Sequence, residues 1–342
     1  MQKVAVVILN YNGKHWLEKF LPNVIQHSTY PNTEIIIADN ASTDDSIEFL
    51  AAKFPNIKIV SNKINTGYAG GYHDALQHIE SDFYVLLNSD VEVTPNWIEH
   101  VIYYMQQDET IAACQPKILS HSDKNKFEYA GAAGGFIDKY GFPFCRGRIF
   151  ETCETDVGQY NSNIEIFWAS GACLFIRAKL YHAVGGLDSD FFAHMEEIDL
   201  CWRLKNIGYK IYYCADSIVY HVGGGTLNKS NPQKTFLNFR NNRILLHKNL
   251  SSNELHSIAF IRNMLDGIAW LKACLTFNIK EANAIKNAIK AYYKNKQKWD
   301  KKRNEIEQQF TTKIPNKTGI LNDSIVWLYF IKGLKKFNQI KW

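Results

Sequence analysis

No run of about 18 uncharged apolar residues occurs anywhere in this 342-residue chain, so no membrane-spanning helix is expected. The best candidate, residues 255–279, is broken by Arg262, Asp266 and Lys272. The amino-terminal apolar run, Val4–Leu9, is short, ends at Asn10 and lacks a cleavage-like sequel, so no secretory signal is expected. Cysteine is sparse: seven, odd in number, scattered and without a C-x-x-C pair. That argues against a disulfide framework or a zinc ribbon and for reduced thiols in a cytoplasmic protein. Neither G-x-G-x-x-G nor a P-loop is present, which removes the common dinucleotide and nucleoside-triphosphate cradles. Helix-turn-helix, zinc and RNP patterns are also missing, so nucleic acid is not an expected partner.

What remains is an ordinary globular composition, 46% hydrophobic and 21% charged. The net charge of +5 is uneven: residues 279–342 hold 15 Lys/Arg against 5 Asp/Glu, leaving the rest mildly acidic. A basic tail suits an anionic partner. Within it, Ile325–Phe330 is apolar and Lys332–Lys336 is cationic, a sequence able to lie in a bilayer interface or to pack as an ordinary helix.

The first hundred residues alternate between short apolar strands and helical spacing. Strands are expected at Val4–Leu9, Glu34–Ala38, Ile57–Ser61 and Phe83–Asn88. Helices are expected at Lys14–His27, from Ser42 or Thr43, and from Pro95. This pattern implies an α/β fold with a mixed, mostly parallel sheet flanked by helices. Ligands bind such sheets beyond the carboxyl ends of the strands, here Asn10–Asn12, Asp39–Asn40 and Asn88–Asp90. Further strands are expected at Ile111–Ile118, Ile164–Ile176 and Tyr209–Cys214, with a helix at Glu196–Asn206. Beyond about residue 235 the spacing is helical, with Ile285, Ala288, Ile289, Tyr292 and Tyr293 on one stripe. A catalytic domain over 1–250 and a helical basic extension over 251–342 follow from this reading.

Seven segments, in order, carry a resemblance. They are Val7-Ile-Leu-Asn-Tyr-Asn-Gly13, Ala38-Asp-Asn-Ala-Ser-Thr-Asp-Asp-Ser46, Asn65-Thr-Gly-Tyr-Ala-Gly-Gly71 and Leu86-Leu-Asn-Ser-Asp90, then Ser170-Gly-Ala-Cys-Leu174, Met195-Glu-Glu-Ile-Asp-Leu-Cys-Trp-Arg203 and His221-Val-Gly-Gly-Gly-Thr226. Together they resemble family 2 inverting glycosyltransferases of GT-A fold, on the bacterial rhamnosyltransferase-like branch. The resemblance implies a nucleotide-diphosphate sugar donor, dTDP- or UDP-linked, and Mg²⁺ or Mn²⁺ as cofactor. It implies a glycan or lipid-linked acceptor in cell-surface polysaccharide synthesis, and attachment at the inner face of the membrane. Whether the chain touches the inner leaflet or forms a homodimer stays open.

On the matching positions, Glu197 is the expected general base. Asp39 is expected to accept from a pyrimidine N–H, with Asn10, Asn12, Asn65, Gly67, Gly70, Asn88 and Ser89 completing donor binding. Asp90 and His221 are the expected metal ligands, with Glu92 a weaker candidate. Asn88 departs from the family's first aspartate, so its amide can bond a ribose hydroxyl or metal-bound water but brings no charge. Trp168, Ser170, Gly171 and Glu196 are expected to wall the sugar or acceptor pocket, although Trp168 equally suits an ordinary core. Gly223 and the forks of Arg240 and Arg243 are candidates for phosphate, with surface ion pairing as the alternative for the two arginines. Asp199 and Arg203, four apart on the helix, suit a structural pair. The rival readings are a nucleotidyltransferase, a non-enzymatic nucleic-acid or anion binder using the tail, and an inactive scaffold.

Overall fold

The computed structural model describes residues 2–223, 231–310 and 314–342. The apolar run after Lys3 becomes β1 (Val4–Asn10), with residues 4–8 buried on both faces. Two-sided burial is why it reads as a continuous run and not an alternation. The chain then passes through α1 (Lys14–His27), β2 (Thr33–Asp39), α2 (Ser46–Lys53), β3 (Lys58–Ser61), α3 (Gly67–Leu76) and β4 (Phe83–Asn88). Next come β5 (Val91–Val93), α4 (Trp97–Gln107), β6 (Ile111–Ser120), β7 (Gly135–Asp138), β8 (Pro143–Cys145), β9 (Arg148–Ile149) and β10 (Thr152–Cys153). They are followed by β11 (Ile164–Ile166), β12 (Cys173–Arg177), α5 (Ala178–Ala183), α6 (Glu196–Asn206) and β13 (Lys210–His221). The last part is α7 (Pro232–Asn249), α8 (Ser252–Leu275), α9 (Ile279–Lys294), α10 (Lys296–Phe310), β14 (Ile320–Leu321) and α11 (Ile325–Phe330).

Among the described residues the main sheet runs β11-β13-β6-β12-β4-β1-β2-β3, with β5 alongside β13. Strands β3, β2, β1 and β4 are parallel; β12 enters antiparallel between β4 and β6. The register sets Asn10 opposite Asp39 and Leu9 opposite Asn88, so the polar strand ends share one edge. A smaller sheet, β10-β9-β8-β7-β14, takes its last strand from the carboxyl-terminal segment, which pairs parallel with β7.

Three expected elements differ. The second helix starts at Ser46, not at Ser42 or Thr43. Those two residues are held in the loop instead: the Ser42 N–H donates to Asp39 at 3.1 Å and the Thr43 N–H to Asn12 at 2.6 Å. The helix expected from Pro95 begins at Trp97, because Asn96 is left-handed (φ 60°) and interrupts the run. Ile164–Ile176 is two strands, since β11 lies at the sheet's edge and β12 lies inside it. The connection between them carries Trp168, Ser170 and Gly171.

The carboxyl-terminal segment folds back onto the body. Ile325, Leu328 and Tyr329 of α11 are buried, and the Ile325 N–H donates to Asp138 Oδ2 at 2.9 Å. The final residue, Trp342, packs its ring 5.0 Å from that of Phe136. The expected stripe on α9 buries Ile285, Ala288 and Tyr292, whereas Tyr293 is half exposed. Among the described residues no helix is long and apolar enough to cross a membrane.

Candidate active site

Asn10 is fully buried and donates to Asp39 Oδ1 at 3.2 Å and to Ser42 Oγ at 3.0 Å. Its side-chain amide oxygen has no protein partner among the described residues. A buried acceptor left open in this way wants a donor from a ligand. Asn12 is exposed, and its amide ties the loop at Thr43 and Asp44. Asn65 accepts from the Gly67 N–H and from Asn40, both at 2.9 Å, closing the turn that opens α3. Gly67 has φ +74°, and a Cβ there would strike Phe192, so only glycine fits. A Cβ on Gly70 would meet Thr66 Oγ1 at 2.5 Å, so α3 packs tightly against its own entry turn.

Asn88 and Asp90 meet His221 where β4 and β13 end. His221 Nε2 lies 3.2 Å from Asp90 Oδ1 and 3.3 Å from Asn88 Nδ2, and Nδ1 lies 3.4 Å from Glu128 Oε2. Burial alone would lower the His221 pKa, but Glu128 and Asp90 outweigh it and push it up to about 10. Burial likewise works to raise Asp90, yet His221 and the backbone N–H groups of Asp90 and Gly223 hold it below its ordinary value. Ser89 faces the same corner, its hydroxyl 3.8 Å from where a Cβ on Gly13 would stand. Glu92 turns away to Lys124 at 2.6 Å and His121 at 3.4 Å.

The acids at the start of α6 form the opposite end. Burial pushes Glu197 up to about 7, only partly offset by backbone N–H groups including those of Gly171 and Ile198. Glu196 is pushed well up by burial and then by Glu197. Each has one carboxyl oxygen without a protein partner among the described residues. Among the described residues no cation pairs with either, and burial overrides the help that a helix amino-terminus gives a carboxylate. Tyr68 closes this end: its hydroxyl donates to Gly171 O at 2.7 Å, and both glutamates lie near enough to raise it further. The two ends join through the backbone, because the Asn88 N–H donates to Ala172 O at 3.0 Å, one residue from Gly171. Asp39, Asp90 and Glu197 are thereby brought to one edge of the sheet.

Behind Glu196 the chain is contorted, with Phe192, His194 and Met195 at φ 65°, 71° and 73°. Asn241 on α7 holds this loop, donating to the carbonyls of Phe191, Ala193 and His194 at 2.9, 2.8 and 2.7 Å. The fully buried Asp199 anchors the helix itself, pairing with Arg203 at 2.9 Å and Lys248 at 2.8 Å as the i, i+4 spacing suggested.

Several other sequence candidates are engaged elsewhere. Trp168 is buried and donates its indole N–H to Phe136 O at 2.8 Å, which makes it core. Ser170 is buried between Ala130 O and the Ala172 N–H. Arg240 donates to the carbonyls of Asp190 and Phe191, and Arg243 pairs with Asp266 at 2.6 Å, so both forks are structural. Gly223 is left-handed (φ 71°), beside Glu128. Gly224, Gly225 and Thr226 of the same motif lie outside the described residues. Sequence reasoning missed Glu128, Tyr68 and Asn241 as site residues. Only Tyr68 and Asn241 had a signal, inside motifs whose glycines and arginines drew the attention.

The donor set at His221 suits a hard divalent cation: one carboxylate and one imidazole, with the Asn88 amide 3.3 Å from the ring. Among the described residues no three His, Cys, Asp or Glu side chains converge as a complete metal cage. A cation here would take the place of the proton that two carboxylates hold on His221.

A mixed sheet whose strand ends hold Asp39 and Asp90, with an acid at a helix start, has the architecture expected of nucleotide-binding transferases. Residues 5–185 match glycosyl transferase family 2, and the chain belongs to that family. It is 26% identical over 236 residues to an N-acetylglucosaminyl-diphospho-decaprenol L-rhamnosyltransferase of Mycobacterium tuberculosis, covering 64% of this chain and 75% of that one. It is 26% identical over 225 residues to the O-antigen chain rhamnosyltransferase WbaN of Salmonella anatum, covering 65% and 66%. Among solved structures, GalNAc-T7 with UDP, GalNAc and Mn²⁺ aligns with a TM-score of 0.56 at 16% identity, over 72% of this chain and 48% of that one. The mannosyltransferase PcManGT of Pyrobaculum calidifontis, in complex with GDP-Man and Mn²⁺, aligns with a TM-score of 0.52 at 14% identity, over 90% and 86%. The fold is GT-A and the protein is a glycosyltransferase, which sets aside the nucleotidyltransferase and the non-enzymatic readings.

Proposed function

We propose that this enzyme transfers a sugar, with inversion, from a nucleotide diphosphate to a hydroxyl of a glycan or lipid-linked acceptor during cell-surface polysaccharide synthesis. The observation that carries the proposal is Glu197: fixed by the Gly171 N–H, with one buried oxygen unpartnered, and pushed up to about 7 by burial. A carboxylate with that affinity can take a proton from an acceptor hydroxyl near neutral pH. The acceptor oxygen then attacks the anomeric carbon from the side opposite the leaving group, and one displacement needs one base. Glu196 and Tyr68 bound the space beside it and, with Gly171, are assigned to the sugar and acceptor.

At the other end Asp39 and Asn10 are placed to bind the nucleotide base, with Asn65, Gly67 and Gly70 shaping the turn beside them. Asp90 and His221 would hold Mg²⁺ or Mn²⁺, with Asn88 adjoining. Such an ion neutralises charge on a departing diphosphate. Relatives named as rhamnosyltransferases favour rhamnose as the sugar, and a dTDP or UDP carrier is what the family resemblance adds. We place the enzyme in the cytoplasm, where nucleotide sugars are made, working at the inner face of the membrane.

A panel of dTDP-, UDP- and GDP-sugars tests this, reading acceptor-dependent release of nucleotide diphosphate with and without chelator. The product's anomeric configuration is then read by NMR. Acceptor-dependent release that chelator suppresses, with an inverted product, is expected. A product of retained configuration would overturn the assignment.

A further inference from the structure

Residues 255–279 were discounted as a membrane span because Arg262, Asp266 and Lys272 interrupt them. The structure separates those three charges. Arg262 and Asp266 face inward: Arg262 pairs with Asp266 at 3.3 Å and stacks 3.7 Å from the ring centre of Phe142, and Asp266 pairs with Arg243. Both are almost fully buried. Their sequestration leaves an outer face of α8 on which Phe260, Met264, Ile268, Leu271 and Leu275 follow at helical spacing, each 51–70% exposed. Phe277, 86% exposed, and Ile279 continue the apolar surface past the helix end. A contiguous stripe of this kind is rare on a water-facing surface and marks a contact.

The charge around the stripe indicates what covers it. Between 255 and 279 the only acid is the buried Asp266, and the one exposed charge is Lys272. The next helix, α9, packs against α8 and exposes Lys280, Lys286, Lys290 and Lys294, none in an ion pair among the described residues. An apolar helix face beside unneutralised lysines is the pattern of a helix lying in the interface of an anionic bilayer. A second copy of the chain fits less well, since a two-fold contact would crowd lysines against lysines.

We propose that the outer face of α8, with the lysines of α9, seats the enzyme on an anionic lipid surface. This moves the membrane contact away from 325–336, where Ile325, Leu328 and Tyr329 are committed to the core. The proposal does not depend on which sugar is transferred, and its test contains no donor.

The test is flotation of the full chain with phosphatidylcholine vesicles and with phosphatidylcholine–phosphatidylglycerol vesicles. The chain is expected to float with the mixed vesicles and far less with phosphatidylcholine alone. Replacing the exposed Met264, Ile268, Leu271 and Leu275 by Gln is expected to lower the partition coefficient at least about a hundredfold. Because these side chains face water, the thermal transition should stay in place. Replacing Lys280, Lys286, Lys290 and Lys294 by Gln is expected to cost about fivefold per lysine, and only with the anionic vesicles. Three results would overturn the proposal: a chain that stays below the gradient with both vesicles, flotation lost only on Trp327→Ser with Phe330→Ser, or a dimer that the α8 variant splits into monomers without changing flotation.

Discussion

Asp90 and Glu197 are both acids at one sheet edge, yet their surroundings treat them oppositely. Asp90 stands beside His221, which keeps its carboxyl below the ordinary range against the pull of burial. Glu197 has neutral partners, Gly171 and Ile198 N–H groups, and burial raises it to about 7. The neighbours decide the role: an acid beside a cation stays charged and suits a charged ligand, whereas an acid among apolar and amide groups can trade protons. Glu128 shows the same logic from the far side of His221, where a second carboxylate helps to hold the positive charge on the imidazole.

This contrast can be broken most severely at Glu197. The Glu197→Gln variant keeps shape but loses the proposed base, so turnover is expected to fall about 10²–10⁴-fold with donor affinity unchanged by calorimetry. Asp90→Asn strikes the charged end. Initial rates are expected to fall about 10²–10³-fold, and a Mn²⁺ titration should show weaker half-saturation, an effect that Glu197→Gln lacks. Removing Asn241 sharpens the comparison by touching neither acid. Asn241→Ala frees the Ala193 and His194 carbonyls behind Glu196 and leaves that of Phe191 to Arg240 alone, and kcat is expected to drop about tenfold to a hundredfold with KM little changed. Its denaturant midpoint should also report a loss of about 1–3 kcal/mol.

The gentlest probe is pH. Below about 7 the rate should fall up to about tenfold per unit as Glu197 becomes protonated. Stability runs the other way. The folded pKa of about 7 exceeds the ordinary 4.5, so the folded state binds the proton more tightly. That contribution is complete below pH 4.5 and is lost as pH rises through about 7. Relative to Glu197→Gln, the wild type should lose up to about 3 kcal/mol over that window in urea titrations.

The donor end was legible because buried strands must be unbroken apolar runs, and each run stops at a polar residue. Asn10, Asp39 and Asn88 were therefore found without coordinates, and the register places them side by side. The helix at Glu196–Asn206 was legible from its spacing, as was the Asp199–Arg203 pair. The supports were not. Glu128 sits in a stretch without periodicity, and its distance to His221 depends on how β6 and β13 end together. Arg240 and Arg243 looked like phosphate forks because a guanidinium advertises the same donors whether its partner is a ligand or a carbonyl. Trp168 left two readings open, and the backbone of Phe136 chose between them.

The seven motifs by themselves specified the family, while periodicity and strand-end polarity, which are local properties of the chain, specified the order of strands and helices and nominated the candidate acids. Tertiary structure alone decided which charges face inward, as with Arg262 and Asp266, and which acid holds its proton more tightly, as with Glu197. Those outcomes depend on what packs against a side chain from remote segments, and local sequence carries no record of that neighbour.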